Sequence, residues 1–365
     1  MVELAHIFRQ YGPAYRTKYG QRMLPSHRRA MVAIEHCRTA ALGGHVCYCD
    51  QCDEVHYCYH SCQNRHCPQC QHRAGQAWLA KQQAMLLPVP YFMVTFTLPE
   101  ALRQLARRHQ KLMYDLLFRC SAAALQELAQ DPRFVGGQVG LMGVLQTWAR
   151  DFSYHPHVHY LVPGGGVCAA TASWHRARNG FLVHVKPLSK LFRGKFRAAL
   201  KKTALEEQVP AAVWQQDWVV HCQPVGSGAA ALKYLAPYIF RVALSNNRIV
   251  KVEQEQVTFR YQDNKGKRRY CTLPVQEFMR RFLQHVLPKG FKMVRYYGLF
   301  SPAKRELLHR VRLLLLLQPV SQAAATADPQ VQDRPLLPPG SLPCPTCGRP
   351  MRRLAKLPPV WGRPP

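Results

Sequence analysis

A dense cluster of cysteines near the N-terminus constrains the fold of this chain more than any other feature of its sequence. Of the 14 cysteines in 365 residues, eight lie between Cys37 and Cys70. They include two CxxC pairs that are separated by fourteen residues. Each CxxC turn presents two sulfurs on one side of a tight turn, and two such turns can close a tetrahedron around zinc. We therefore predict one structural zinc site with four thiolate ligands: Cys49, Cys52, Cys67 and Cys70.

Other interpretations of the cysteines stay open. The paired cysteines could instead be reduced thiols that pack as small hydrophobes. A C-terminal pair, Cys344 and Cys347, has no downstream partner pair, so it is either half of a site completed elsewhere in the chain or a simple turn. A structural zinc site has no open coordination position, so we expect the cysteine block to fold a small domain without catalysing a reaction. A second zinc, alternative ligands or plain packing all remain open for four residues with irregular spacing: Cys37, Cys58, Cys62 and His66.

The net charge of the chain indicates a polyanionic partner. Lysine and arginine total 50 against 20 aspartate and glutamate residues, which leaves a formal charge of +30. A surface of this sign gains affinity for nucleic acid because counterions are released from the phosphates, and Arg65 would present such charge from the cysteine block. The longest apolar run, residues 313–317, is too short to span a bilayer. The N-terminus lacks an apolar signal region, so we expect a cytoplasmic protein with no membrane partner.

Strand-like and helical segments alternate along the chain without a regular βαβ rhythm, which favours the α+β class. We expect a zinc-binding, DNA-contacting domain over residues 1–80, a catalytic domain over residues 81–317, and a flexible linker with a short CxxC element over residues 318–365. The predicted helices cover residues 1–35, 74–87, 100–130, 186–208, 229–244 and 277–287. The predicted strands cover residues 91–99, 139–148, 154–163, 248–263 and 268–274.

The segment Tyr-His-Pro-His-Val-His-Tyr, residues 154–160, carries the most chemical content. Strand alternation places His155, His157 and His159 on one face and Val158 on the other. Two of these imidazoles and a third ligand would leave positions open on Mg²⁺ or Mn²⁺ for a phosphate oxygen, which the ion would polarise. A histidine-x-histidine pair alone is weak evidence, and a solvent-facing histidine edge is an alternative. The pair gains weight only when a nucleophile follows.

Candidate nucleophiles are Tyr234 and Tyr238, which lie four residues apart and therefore on one face of a helix. A tyrosine can attack phosphorus and later leave, so the phosphotyrosine link conserves the energy of the broken phosphodiester. Pro237 is expected either to kink this helix or to start it, and both geometries favour Tyr238 over Tyr234. Arg241 and Arg248 follow at spacings that could hold backbone phosphates. Both rings could equally be ordinary amphipathic core residues.

Six motifs occur in one order along the chain: CRTAALGGHVCYCDQC, YHSCQNRHCPQCQ, YFMVTFTLP, YHPHVHYLVPGGG, YLAPYIFRVALSNNRI and EFMRRFLQHVLPKGF. Together they resemble the rolling-circle insertion-sequence transposases of the HUH type, the bacterial enzymes with paired tyrosines and an N-terminal zinc-binding domain. The resemblance implies a fold similar to Rep and relaxase nucleases, with the histidines on a central antiparallel sheet, flanking helices and the tyrosine on a nearby helix. It also implies cleavage of one DNA strand through a 5′-phosphotyrosine intermediate with a free 3′-hydroxyl, followed by strand transfer.

The resemblance assigns roles to individual residues. It implies that His157 and His159 are the HUH pair and that Tyr234 and Tyr238 are the paired tyrosines. The zinc ligands that it implies are the same four cysteines: Cys49, Cys52, Cys67 and Cys70. Two positions depart from the pattern of the family, since Met93 and Gln146 stand where histidine is common.

Two other functions stay open at this stage. A non-catalytic, zinc-dependent DNA-binding protein needs only the cysteine block and the basic surface. A replication initiator or relaxase would use the same chemistry on different DNA. The transposase hypothesis predicts single-stranded transposon ends and target DNA as partners and a nucleoid-associated protein, with structural zinc and a catalytic magnesium or manganese ion as cofactors. The third ligand of that ion, the DNA sequence and the oligomeric state do not follow from the sequence.

Overall fold

A computed structural model describes residues 2–70, 72–178, 180–240, 244–263, 265–317 and 342–360. Its helices are α1 (Leu4–Tyr19), α2 (Pro25–Glu35), α3 (His72–Gln83), α4 (Glu100–Arg108), α5 (Gln110–Gln130), α6 (Val185–Leu200), α7 (Ala229–Phe240), α8 (Val275–Leu283) and α9 (Arg305–Leu317). Its strands are β1 (Gly44–Cys49), β2 (Glu54–Tyr59), β3 (Tyr91–Thr97), β4 (Gln138–Trp148), β5 (Tyr154–Pro163), β6 (Gly165–Val167), β7 (Trp174–Arg176), β8 (Val220–Pro224), β9 (Ile249–Glu253), β10 (Gln256–Gln262), β11 (Arg268–Pro274), β12 (Val294–Gly298), β13 (Leu342–Pro343) and β14 (Pro350–Leu357).

The mixture of helices with antiparallel sheets confirms the α+β class. The chain divides into two compact units, one formed by residues 1–71 together with residues 319–365 and the other by residues 72–318. The linker predicted from residue 318 onwards lies outside the described residues as far as residue 341. Across the described residues, no helix has both the length and the apolar character needed to cross a membrane.

The first unit contains a four-stranded sheet in the order β13-β14-β1-β2. The C-terminal strand β14 pairs antiparallel with β1, from Gly44 opposite Leu357 to Tyr48 opposite Arg352. Gly43 precedes β1 with a φ of 67°, and a Cβ atom there would lie 2.6 Å from the carbonyl oxygen of Leu357. Only glycine fits this close approach at low cost, so Gly43 allows the start of β1 to lie against the end of β14.

The second unit is built on a seven-stranded sheet with the order β7-β6-β4-β5-β3-β8, in which β12 also pairs with β4. Helices α5 and α6 cover one face, where the Tyr160 hydroxyl lies 2.8 Å from Ser121 Oγ and the rings of Phe96 and Phe192 are 5.1 Å apart. A Cβ atom at Gly143 would lie 2.6 Å from the Tyr160 ring, which explains a glycine inside β4. Helices α3 and α7 pack together on the opposite face.

A smaller sheet, in the order β11-β10-β9, packs on helix α8 through aromatic rings. Phe259 of β10 lies 6.1 Å from Phe278 of α8 and 5.8 Å from Phe152, measured between ring centroids. His285 follows α8 and is 1% exposed. Its Nδ1 lies 3.1 Å from Thr147 Oγ1 and its Nε2 lies 3.4 Å from the carbonyl oxygen of Phe152.

Burial makes His285 a source of acid sensitivity. It lowers the pKa of this ring to about 3, whereas an unfolded histidine titrates near about 6.5. The stabilisation is therefore complete above a pH of about 6.5 and is lost towards pH 3 at about 1.4 kcal/mol per pH unit. Between pH 7 and pH 5 we expect the wild type to lose roughly 2 kcal/mol more free energy of unfolding than His285→Gln. Guanidinium titrations followed by circular dichroism measure this difference, and equal losses would contradict a buried neutral ring.

Candidate functional site

The three histidines of β5 follow one another on one face of the central sheet, as the strand alternation predicts. The ring centroids of His155 and His157 are 5.2 Å apart, and those of His157 and His159 are 4.8 Å apart. Val158 is fully buried on the opposite face. The strand therefore presents a row of imidazoles and not an irregular histidine tract.

The neighbouring strands complete the surroundings of this row. On β4, Gln146 lies opposite His157. On β3, Thr97 lies opposite His157 and Thr95 lies opposite His159. Residues directly opposite each other in an antiparallel pair share a face, so these side chains and the imidazoles form one polar row in an otherwise apolar sheet.

The ring of His157 is held in one protonation and hydrogen-bonding state. It is 8% exposed, and burial lowers its pKa well below the ordinary value, so the ring is neutral near pH 7. Its Nδ1 lies 2.6 Å from the carbonyl oxygen of His155 and donates to it. The Nε2 atom then carries a lone pair, and it lies 3.1 Å from the side-chain amide of Gln146, whose nitrogen is buried without a hydrogen-bond partner among the described residues. A cation shared with the amide oxygen, or a hydrogen bond from the amide nitrogen, would satisfy this lone pair.

The ring of His159 offers a second lone pair. Its Nδ1 lies 2.8 Å from Thr95 Oγ1, and burial lowers the pKa of the imidazole to about 4. The neutral ring can donate from Nδ1 to the threonine hydroxyl, which leaves Nε2 as a ligand atom. A hydrogen bond to the second nitrogen of this kind fixes the tautomer and orientation of metal-binding histidines.

Arg103 of α4 is a residue that the sequence analysis missed. Its Nη2 lies 2.8 Å from Nδ1 of His155 and donates to it, and burial followed by the charge of Arg103 lowers the pKa of His155. His155 is thus engaged by a cation, and a metal role for His157 and His159 stays a prediction. Within the described part of the chain, the buried Nε of Arg103 has no hydrogen-bond partner. The sequence signal that could have identified Arg103 is its position shortly after Thr97-Leu98-Pro99, where β3 ends.

The two positions that depart from the pattern of the family have different surroundings. Met93 is 6% exposed and packs in the apolar cluster that contains Met142 and Leu161. Gln146 is 4% exposed and contacts His157. The side chain of Met93 therefore packs in the apolar core, whereas that of Gln146 lies in the polar row itself.

Helix α7 covers the histidine face of the sheet. The turn before it lies beside Tyr91, because a Cβ atom at Gly228 would be 2.9 Å from that ring. The helix buries three apolar residues against a cluster of sheet residues. Leu161 lies two positions from His159 on β5, and Met93 and Met142 lie opposite Leu161 on the neighbouring strands. Val144 lies opposite His159, so all four side chains are on the face of that histidine. The helix contributes Ala231, Leu232 and Leu235, and the sheet contributes Met93, Met142, Val144 and Leu161.

Both candidate tyrosines belong to α7. Tyr234 is 51% exposed. The helix continues through Pro237 to Phe240, so the hypothesis that it begins at Pro237 is wrong. The backbone of Tyr238 lies one turn beyond Tyr234, but the side chain of Tyr238 and the whole of Arg241 lie outside the described residues.

The other predicted DNA contacts lie apart from the polar row in sequence. Arg248 donates from Nε to the carbonyl oxygen of Arg260 and from Nη2 to that of Arg150, both at 2.8 Å. It thereby ties β10 to the turn that follows β4. Arg65 is exposed in the cysteine block. Contact of Arg65, Arg241 and Arg248 with DNA stays a prediction.

The structure corrects the predicted grouping of the zinc ligands. Cys49 and Cys52 do not share a cluster with Cys67 and Cys70; the two CxxC pairs belong to different groups of four. The physical reason is the hairpin that β1 and β2 form. Cys49 and Cys52 lie at its turn, whereas Cys67 and Cys70 come after β2. Each pair finds two other cysteines, and the resulting groups are Cys37, Cys62, Cys67 and Cys70, and Cys49, Cys52, Cys344 and Cys347.

The sulfur distances in both groups suit a tetrahedral metal. Cys70 Sγ lies 3.4 Å from Cys37 Sγ and 3.5 Å from Cys62 Sγ, and all ligand atoms within each group lie within 4.8 Å of one another. Zinc–sulfur bonds of about 2.3 Å in a tetrahedron place the sulfurs about 3.8 Å apart. A disulfide would instead need a separation of about 2.05 Å. The residues therefore fit zinc.

Comparison with known proteins gives the chain a family. The family profile described as "Putative transposase" matches residues 140–307, and the profile described as "Transposase zinc-binding domain" matches residues 7–98. A "Putative transposase y4qJ" of Sinorhizobium fredii is 41% identical over 354 residues, which cover 91% of this chain and 89% of the relative. The "Transposase for insertion sequence element IS801" of Pseudomonas savastanoi is 29% identical over 282 residues, or 73% of this chain and 68% of the relative.

No solved structure matches the chain. The first profile contains β5, α7 and Gln146, and the second contains six of the eight cysteines that form the two groups of four. The zinc-binding profile and the cysteine clusters together identify zinc as a structural cofactor. The extent and identity of these matches show that the chain belongs to the IS91 family of insertion-sequence transposases, with an N-terminal zinc-binding domain.

Proposed function

We propose that this transposase cleaves and rejoins single-stranded DNA through a tyrosine of α7, with a divalent metal ion bound by His157 and His159. The observation that carries the proposal is the polar row on the central sheet. There, a lone pair of the neutral His157 ring lies 3.1 Å from the side-chain amide of Gln146. The same face of the sheet is covered by the helix that bears both tyrosines.

Gln146 is the third ligand in this proposal. Ligand atoms at right angles around Mg²⁺, with bonds of about 2.1 Å, are about 3.0 Å apart. The separation of 3.1 Å between His157 Nε2 and Gln146 Oε1 fits this value. A divalent ion held there would polarise a phosphate oxygen as a Lewis acid and neutralise the charge that develops on it. The amide of Gln146 is neutral, so it would hold Mg²⁺ or Mn²⁺ less tightly than a carboxylate.

The geometry of α7 supports a tyrosine nucleophile. A helix of 12 residues is about 18 Å long, and the six residue steps of β3 from Tyr91 to Thr97 span about 20 Å. Leu232 and Leu235 of α7 pack on the histidine face of the sheet beside Val144, which lies opposite His159, and the helix is long enough to extend along β3. Tyr238 lies about 6 Å further along the helix than Tyr234, and we propose it as the first nucleophile.

The chemistry is a pair of transesterifications. The tyrosine oxygen bonds to phosphorus as the bond from phosphorus to the 3′ oxygen breaks, and the phenolic proton ends on that 3′ oxygen. This leaves a 5′-phosphotyrosine and a free 3′-hydroxyl. A 3′-hydroxyl of the target strand then attacks the phosphotyrosine, which restores a phosphodiester and returns the tyrosine. We propose that Arg103, which donates to His155 at 2.8 Å and forms an ion pair with Glu100 at 3.5 Å, holds a phosphate oxygen.

The role of Gln146 gives a prediction about metal affinity. We expect Gln146→Ala to raise the concentration of Mn²⁺ needed for half-maximal cleavage by roughly 10- to 100-fold, because one ligand is lost. Gln146→His supplies a ring nitrogen at the same position and should restore most of the affinity. Cleavage of a labelled oligonucleotide across a Mn²⁺ titration measures both effects. An unchanged metal requirement in Gln146→Ala would remove this residue from the site.

The tyrosines are tested by trapping the covalent intermediate. A labelled single-stranded oligonucleotide that carries the end of the protein's own element is incubated with the protein and Mg²⁺ or Mn²⁺, and the adduct is resolved on a denaturing gel. We expect Tyr238→Phe to reduce the adduct most, and Tyr234→Phe with Tyr238→Phe to reduce it by roughly 1,000-fold or more, because the nucleophile is gone. Tyr270→Phe, at a tyrosine that is 59% exposed on β11, is the matched control.

The outcomes of the trapping experiment separate the alternatives. An adduct that survives in the double variant would place the nucleophile elsewhere. An adduct that survives Tyr238→Phe but is lost in Tyr234→Phe would reverse the order of the two tyrosines. A protein that binds the oligonucleotide but forms no adduct with either metal would be the non-catalytic, DNA-binding alternative. Cleavage of plasmid origins in preference to element ends would indicate an initiator or relaxase.

A further inference from the structure

The second cysteine group joins the two ends of the chain. Cys49 ends β1 and Cys52 follows it in the N-terminal part, whereas Cys344 and Cys347 lie between β13 and β14 in the C-terminal part. Cys49 Sγ is 3.6 Å from Cys347 Sγ, and Cys52 Sγ is 4.0 Å from Cys344 Sγ. The zinc-binding profile ends at residue 98, so it contains only half of this group.

We propose that these four cysteines bind a second structural zinc ion, which fastens the C-terminal element to the N-terminal zinc-binding unit. Four thiolates in two CxxC turns form a closed tetrahedral site, the arrangement that structural zinc prefers. The C-terminal CxxC pair is therefore half of a site completed far away in the sequence, and not a simple turn. The second unit, residues 72–318, is then an insertion between two parts of one zinc-binding unit.

The packing around this group shows why a metal is needed. The buried cluster at this end of the sheet consists of Cys47, Cys49, Cys344 and Met351, with Cys52, Cys58 and Leu342 partly buried beside it. Most of these side chains are thiols, and Met351 is the one buried residue along β14. A sheet with so small an apolar core gains little from hydrophobic burial, and small domains of this kind depend on metals or disulfides. Two sulfur pairs of this group are 3.6 and 4.0 Å apart, which is too far for a disulfide of about 2.05 Å and close to the sulfur spacing around zinc.

One sulfur of the group has a polar neighbour that is itself held by a carboxylate. His56 of β2 has its Nε2 atom 3.6 Å from Cys344 Sγ and 3.3 Å from a carboxylate oxygen of Glu54. Thr346 donates from its hydroxyl to the same glutamate oxygen at 3.2 Å. Polar groups that contact the ligands orient them and stabilise the bound metal. The link between the N-terminal hairpin and the C-terminal turn thus extends beyond the four sulfurs.

The number of bound metals tests the proposal on the full-length protein. Elemental analysis for zinc and iron should give two zinc ions per chain in the wild type. The double variants Cys344→Ser with Cys347→Ser, and Cys49→Ser with Cys52→Ser, should each retain one. Cys168→Ser with Cys271→Ser, at cysteines outside both groups, should retain two. One zinc in the wild type, iron in place of zinc, or two zinc ions in either cluster variant would overturn the proposal.

Alkylation of the wild-type protein tests the pairing without relying on a variant that folds. Cys347 is exposed, so burial cannot protect it from N-ethylmaleimide and only a bound metal can. Peptide mass mapping should show Cys347 unmodified in the zinc-loaded protein and modified after chelation, with Cys168 as the internal control that does not depend on chelation. Immediate modification of Cys347 in the zinc-loaded protein would refute the second site. These measurements use no DNA, so their outcome is independent of the proposed cleavage activity.

Discussion

Substitution of His157 by alanine is expected to reduce formation of the covalent DNA adduct by roughly 1,000-fold, with the protein still folded. The bound ion would supply several kcal/mol of charge stabilisation in the transition state, and each 1.36 kcal/mol corresponds to about a factor of ten in rate. His157 contributes the most deeply placed nitrogen, because the ring is 8% exposed and its Nδ1 is engaged by the carbonyl oxygen of His155. Single-turnover rates of adduct formation at saturating Mn²⁺ measure the effect.

Two controls separate loss of the metal from loss of the fold. His309→Ala changes an exposed histidine of α9 in the same unit and should leave the rate within about twofold, as is usual for surface substitutions. Thermal unfolding of His157→Ala should remain cooperative, since the truncated ring leaves only a small polar cavity. A folded His157→Ala protein that cleaves at the rate of the wild type would contradict the proposed metal site.

The second large effect concerns the structural zinc of the first cysteine group. Residues 60–70 form no helix or strand, and Cys67 is fully buried within this segment. Cys67→Ser removes one of the four sulfurs that hold the segment to Cys37. Structural zinc contributes roughly 10 kcal/mol or more of folding free energy in small domains, which is comparable to the whole stability of a typical domain. We expect the first unit of this variant to be unfolded at 25 °C.

Limited proteolysis and zinc analysis measure that loss. The first unit of Cys67→Ser should be digested rapidly while fragments from residues 72–318 persist, and at least one zinc ion per chain should be missing. Cys168→Ser is the matched control, because Cys168 belongs to neither cysteine group. An intact first unit with full zinc content in Cys67→Ser would show that this residue is not a ligand.

Periodicity predicted the central part of the fold because those segments are long and their patterns agree with their burial. The predicted strands 91–99 and 154–163 match β3 and β5, and the alternation of histidines on β5 is confirmed. The predicted helix 100–130 is two helices, α4 and α5, divided at His109. Strand β12 was missed, since its Val-Arg-Tyr-Tyr-Gly sequence has no clear alternation and it is positioned by pairing with β4.

The candidate site was only partly predictable, because its remaining parts come together through tertiary structure. The pairing of Gln146 with His157 depends on the register between β4 and β5, which local sequence does not specify. At position 146 the sequence showed a glutamine where the family commonly has histidine. The contact of Gln146 with His157 places this difference in the candidate site. The predicted grouping of the cysteines was wrong for the same reason. Cys344 and Cys52 are 292 residues apart in the sequence, and the spacing of CxxC motifs cannot reveal a contact between them.

The most direct test of the central claim is to identify the residue that carries DNA in the trapped complex. The wild-type protein is incubated with a single-stranded element end and Mn²⁺, the DNA is digested to a single nucleotide, and the modified peptide is sequenced by mass spectrometry. We predict a 5′-phosphotyrosyl nucleotide within α7, at Tyr238 or Tyr234, which forms only when His157 and His159 are present. A nucleotide attached to any residue outside α7, or an adduct that persists in His157→Ala with His159→Ala, would contradict a tyrosine of α7 acting at a histidine-bound metal.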